Sequence, residues 1–131
     1  MIRWAVILLM LFCLLAACGG DDEEPTAKVP AADYDAEMVM QGQRHYGIFC
    51  TACHGPDARG IPGLGPSLLA SDFFNAHSDD DLLTFIVEGR PVDHPDNATG
   101  IAMPPRGGYP NISDQQITEI IAYLRTEIAD S

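Results

Sequence analysis

An all-α domain is what this sequence predicts, and three observations carry the prediction. Apolar residues recur at helical spacing in an opening stretch near residue 40 and a closing stretch near residue 120. A third apolar run, with its own start and stop signals, lies between them. No segment alternates polar and apolar residues long enough to make a strand. With 131 residues the chain has room for one domain. Its net charge of −12 excludes a nucleic-acid partner, because gripping phosphates needs a basic face.

In chain order, the first element is an export signal over residues 1–17. Arg3 gives a positive start, Trp4 to Leu15 is an unbroken apolar run, and Ala16 and Ala17 follow. The run suits a secretory segment and is short for a spanning helix, which needs about 20 apolar residues. An uncleaved membrane anchor is the alternative. Leu15-Ala16-Ala17-Cys18 resembles a bacterial lipobox. That resemblance implies that Cys18 is lipidated and begins the mature chain, exported and held on a membrane facing the periplasm or the cell exterior. Several acyl chains, at ~0.8 kcal/mol per buried methylene, make a firm anchor. Ordinary signal cleavage, giving a soluble product, is the competing outcome. Gly19 to Asp33 is acidic, bears proline and glycine, and has no apolar period. Residues 18–33 therefore read as a lipidated terminus and tether, reaching roughly 20–25 Å by random-coil scaling.

The domain proper is expected over 34–131. Its first helix runs from about Asp35 to Phe49, with Met38, Gly42, Tyr46 and Phe49 on one face. Gly42 costs such a helix ~1 kcal/mol against alanine, so a closely packed partner is expected there. Pro66-Ser67-Leu68-Leu69 is expected to open a short helix. A middle helix starts at Ser78, carries Asp79, Asp80 and Asp81 in its first turn, and ends at Gly89. The three carboxylates read as a solvated helix start. The last helix is capped by Ser113 with Gln116, and stapled by Ile112 and Ile117. Ile117, Ile120, Ile121, Leu124 and Ile128 form its stripe, with Tyr123 placed to reach Gly42. Long loops remain at 55–65 and 90–111.

The chemistry sits at Cys50-Thr51-Ala52-Cys53-His54. C-x-x-C-H is the attachment signature of a c-type haem. Two thiols so spaced add to the two vinyl groups on one porphyrin edge, and the next residue is carried over the ring face. Cys50 and Cys53 thus fix one haem c, and His54 supplies the proximal ligand. The rivals fit less well. A thioredoxin-like pair needs an α/β frame. Structural zinc needs four ligands, and His45, His77 and His94 match no common spacing. A plain disulfide would make His54 incidental. Since Cys13 leaves with the signal and Cys18 takes lipid, no thiol remains for a disulfide framework.

Met103 is the expected sixth ligand, in a loop stiffened by Pro104 and Pro105. Met38 and Met40 belong to the first helix, while His77 and His94 offer a bis-histidine alternative.

These residues together resemble the class I cytochromes c, over Tyr34 to roughly Ile128. That family places a glycine and an aromatic eight and four residues before the first haem cysteine, as Gly42 and Tyr46 stand before Cys50. Its last helix carries an apolar and an aromatic residue three apart, like Ile120 and Tyr123. The resemblance implies a small fold of three to five helices wrapped around one covalent haem. It also implies that the Pro66 carbonyl accepts the His54 N–H, which would fix the ring's tautomer. The stretch Arg90 to Ala102 is longer than the turn of many small members, and Asn97-Ala98-Thr99 matches a glycosylation pattern that bacterial export makes idle.

With both axial positions filled by protein, no small-molecule substrate and no enzymatic activity are expected. The expected role is one-electron carriage, with a quinol-oxidising complex and a terminal oxidase or reductase as redox partners. Membership of a larger periplasmic dehydrogenase or oxidase complex is the alternative. Arg59, Arg90 and Arg106 fall in loops expected to border the haem.

Overall fold

The computed structural model describes residues 34–95, 97 and 99–129, without the side chains of Ile128 and Ala129. The expected export signal, the expected lipid site at Cys18 and the expected tether lie outside the described residues, as does the side chain of Ile128. The order is α1 (Ala36–Phe49), α2 (Thr51–His54), α3 (Asp72–Ala76), α4 (Asp79–Glu88), a 3-10 turn (Pro105–Gly108) and α5 (Asp114–Ala129). Among the described residues there is no strand, only two isolated antiparallel bridges, Ile61 with Gly65 and Arg90 with Met103.

The scaffold is the crossing of α1 and α5. Asp35 caps α1 by accepting from the Glu37 N–H. Ser113 and Gln116 cap α5 reciprocally: Gln116 N–H donates to Ser113 Oγ at 3.2 Å, and Ser113 N–H to Gln116 Oε1 at 3.0 Å. The α5 stripe of Ile117, Ile120, Ile121 and Leu124 is buried, with Ile112 beside it. Gly42 lies at the contact. A Cβ there would stand 1.9 Å from the Glu119 carbonyl oxygen and 2.9 Å from Tyr123 Cβ, so only glycine lets the helices meet. The Tyr46 and Tyr123 rings pack beside it with centroids 5.6 Å apart. His45 Nε2 and Glu119 Oε2, 3.1 Å apart, span the same interface.

The middle of the chain is tied to α5 by one buried cation. Arg125 is 4% exposed. Its Nε donates to Asp79 Oδ1 at 3.1 Å, its Nη1 to Phe74 O at 2.9 Å, and its Nη2 to His77 O. Tyr34 Oη donates to the other Asp79 oxygen at 2.7 Å. Burial, then this carboxylate, push the Tyr34 hydroxyl up to about 12. Asp79 is therefore the arginine's counter-charge, which corrects the expectation of a solvated triplet. Asp81 instead closes a capping box with Ser78, and Asp80 is exposed.

The expected helix at Pro66 is absent. Residues 66–69 run as loop and bend, and the short helix begins at Asp72, capped by Ser71 Oγ accepting from Phe74 N–H at 3.1 Å. The physical reason is tertiary: Leu68 N–H donates to Ala58 O at 2.8 Å, and Pro66 O serves His54.

Candidate haem site

The haem motif begins where α1 stops. Cys50 ends α1, its N–H bonding Tyr46 O, and it starts α2, its carbonyl accepting from Cys53 and His54 N–H at 3.2 and 3.0 Å. One helical turn therefore carries the motif, and residues three and four apart share a face. Gly55, at φ +77°, ends the turn, and its carbonyl accepts from buried Tyr46 Oη at 2.6 Å. Burial holds that phenol well above its usual range.

Both thiols are free, Cys50 half-buried and Cys53 exposed. Before any haem is attached, burial, with a contribution from Cys53, pushes the Cys50 thiol up to about 12.

The loop after the motif folds back beneath it. Gly60 N–H donates to His54 O at 2.8 Å, and Ile61 and Gly65 exchange both backbone hydrogen bonds. This brings Pro66 O within 2.9 Å of His54 Nδ1. A carbonyl has no proton, so Nδ1–H must donate, and Nε2 is left with its lone pair for a metal.

A further part of the wall is the arm that carries Met103. Arg90 N–H donates to Met103 O at 2.7 Å and Met103 N–H to Arg90 O at 2.9 Å. Gly89, at φ +73°, makes room: a Cβ there would lie 2.5 Å from Met103 O. The Arg90 guanidinium stacks on Phe73 and Phe85, 4.3 and 4.5 Å from their ring centroids. Asn97 organises the long stretch before Met103. Its Nδ2 donates to Pro91 O and Ile101 O, and its Oδ1 accepts from Thr99 and Gly100 N–H. That nitrogen is committed to the loop, whatever the glycosylation pattern.

Between these walls lie two neighbouring cavities. The larger, about 650 Å³ of space with open solvent included, is walled by Cys50, His54 and Met103 together with apolar side chains from α3, α4 and α5, among them Phe74, Leu82 and Ile120. The smaller, about 460 Å³ on the same terms, adds Cys53, Leu64, Pro66 and Ile101, and shares Phe49, Cys50, His54, Met103 and Gly107 with the first. Two adjoining, mostly apolar cavities with two cysteines and one imidazole on their walls fit a covalently held porphyrin. Cys50 and Cys53 would hold it, and His54 would bind its iron.

Cys50, Cys53, His54, Pro66 and Met103 thus converge. Met38, Met40, His77 and His94 are not on either cavity wall. His77 stacks on Phe73 with its Nδ1 2.7 Å from Phe73 O, and His94 is exposed. Of the three loop arginines only Arg106 lines a cavity; Arg59 is exposed beside Asp57, and Arg90 stands behind the aromatic wall. Arg125 was missed as a tie, although a lone arginine inside an apolar helical stripe was a visible signal.

Residues 37–124 match the family model described as cytochrome c oxidase, cbb3-type, subunit III. Among curated proteins, the chain is similar to the cytochrome bc1 complex cytochrome c subunit of Mycobacterium leprae (34% identical over 64 residues, 47% of this chain). The like-named subunit of Corynebacterium diphtheriae is 32% identical over 59 residues, 41% of this chain. The chain spans only 22% and 21% of those two proteins. Cytochrome c-555 of Prosthecochloris aestuarii is 27% identical over 103 residues, 76% of this chain and 98% of that protein. No solved structure matches the chain. The matched span takes in the C-x-x-C-H turn and Met103 on the cavity walls, and the chain belongs to this cytochrome c family as an electron-transfer protein with one covalently bound haem c.

Proposed function

We propose that the chain is a one-electron carrier whose haem iron is held by His54 and Met103, tethered to a membrane through lipid at Cys18. It passes electrons, on the outer side of that membrane, between a quinol-oxidising complex and a terminal oxidase or reductase. The observation that carries the reading is the convergence of His54 and Met103 on the same cavity walls from separate elements. Haem c supplies an iron that gains and loses one electron, with a potential raised by a methionine ligand relative to two histidines. The chain's residues do the rest. Pro66 O holds the His54 proton at Nδ1 and directs Nε2 to the metal. The Arg90 bridge and Gly89 hold Met103 on the cavity wall. The apolar lining would shield a haem held there from water.

A second reading is favoured by the two relatives named as bc1-complex subunits: the chain works as the haem c subunit of a larger redox complex. Purification from membranes separates the two, as a monomer or as a component of an assembly.

Carbon monoxide tests the ligand pair. The reduced wild type is expected to show no spectral shift on exposure near neutral pH, and Met103→Ala to show one. A shift in the wild type would mean an open iron and end the His54/Met103 reading. Cys18→Ala is expected to release the protein from membranes; unchanged fractionation would remove lipid as the tether.

A further inference from the structure

Arg106 stands two prolines beyond Met103 and lines the larger cavity. Its backbone is left-handed, at φ 54° and ψ 31°, which a residue with a Cβ adopts only when its surroundings enforce it. The side chain supplies that enforcement. Nη1 donates to Ile112 O at 2.7 Å and Nη2 to Asp114 Oδ1 at 2.8 Å, at the start of α5.

The ion pair is lopsided. The Arg106 side chain is 26% exposed and lies on the cavity wall, whereas Asp114 is 63% exposed and does not line the cavity. Charge next to an apolar cavity acts through a low dielectric, and charge facing water is screened. The cation therefore bears on the cavity more strongly than its partner does. Arg90, the other arginine of this wall, stacks on Phe73 and Phe85 and is not on the lining.

We infer that the Arg106–Asp114 pair sets the reduction potential of the bound haem. Oxidation leaves one more positive charge on the iron. The Arg106 guanidinium disfavours that state and raises the potential, while the Asp114 carboxylate offsets part of the rise. This assignment rests on the haem in the cavity and not on the identity of its sixth ligand.

Redox titration of the haem-loaded protein tests it, with the weak long-wavelength band of a thioether–ferric iron bond recorded in each variant. Arg106→Gln is expected to lower the midpoint potential, Asp114→Asn to raise it, and Arg106→Lys to stay close to wild type. Both neutral variants break the same ion pair, so a purely structural role would move them the same way; opposite signs are the signature of charge. Shifts of one sign, no shift, or loss of the thioether band in Arg106→Gln alone would overturn the assignment. If the wild type itself lacks that band, the Met103 ligation fails and the signs still decide this proposal. If Arg106→Gln holds no haem, Asp114→Asn decides alone, an upward shift supporting the assignment and any other result refuting it.

Discussion

Two regions that border the cavity are built by opposite means. On one side, α1 and α5 meet through Gly42, Tyr46, Ile117 and Ile121, all buried. On the other, the described residues of the arm from Arg90 to Gly108 form no helix beyond one 3-10 turn. It is held by a pair of backbone hydrogen bonds to Met103, by the Asn97 amide, and by the Arg106 guanidinium. Glycine serves both regions differently. Gly42 removes a side chain so that two helices can touch, and Gly89 supplies a left-handed backbone where a Cβ would strike Met103 O. The packed side can stand on its own burial. The arm side leans on whatever fills the cavity.

The largest expected effect breaks that dependence. A Cys50→Ala, Cys53→Ala chain holds no haem, so the arm and the α3–α4 segment lose the body they pack against. Circular dichroism is expected to show a lowered helical signal, the share of α3 and α4 lost and that of α1 and α5 kept. Native-like helix content without haem would show both regions to be self-sufficient.

Next comes the packed side. Gly42→Ala forces a Cβ against a backbone carbonyl that cannot swing aside. Overpacking usually costs about 1–3 kcal/mol, and this contact belongs at the top of that range or above it. Chemical denaturation of the haem-loaded variant measures it; a cost near zero would mean that the crossing is looser than described.

Tyr46→Phe probes the seam between the regions. It leaves the Gly55 carbonyl, just past His54, without its buried donor. About 1–2 kcal/mol of stability should go, the cost of an unsatisfied buried acceptor. An unchanged denaturation midpoint would indicate that water replaces the hydroxyl.

The smallest effect is a pH dependence at the start of α4. Hydrogen bonds from the Ser78 hydroxyl and N–H hold the Asp81 carboxyl below its ordinary value. A carboxyl depressed by folding stabilises above its unfolded pKa, and that stabilisation fades as pH falls through the folded one. The stability difference between wild type and Ser78→Ala should therefore be present at neutral pH and shrink in acid. A difference that persists unchanged in acid would assign it to the hydroxyl alone.

Periodicity and caps reveal a helix that buries one stripe, so α1, α4 and α5 were legible from Gly42 and Tyr46, Ser78 and Gly89, and Ser113 to Leu124. The haem turn was legible because its chemistry fixes the spacing of Cys50, Cys53 and His54. The arm was legible only at Met103, with prolines on one side. What joins it to the scaffold depends on where loops meet in space: the Arg90 bridge, the left-handed turn at Arg106 and its reach to Asp114 have no local pattern. The same cause misplaced the short helix at Pro66, whose carbonyl was needed by a histidine 12 residues away. Arg125 and Asp79, 46 residues apart, paired for reasons no local window contains.

We propose that one haem fills the space these two regions border, with Met103 as a ligand of its iron beside His54. Proton NMR of the reduced, haem-loaded protein tests it most directly, because a methionine methyl bound over a porphyrin is shifted far upfield by the ring current. The account predicts one such methyl signal, lost in Met103→Ala and retained in Met38→Leu and Met40→Leu. A spectrum without that signal, or one that keeps it when Met103 is gone, would contradict it.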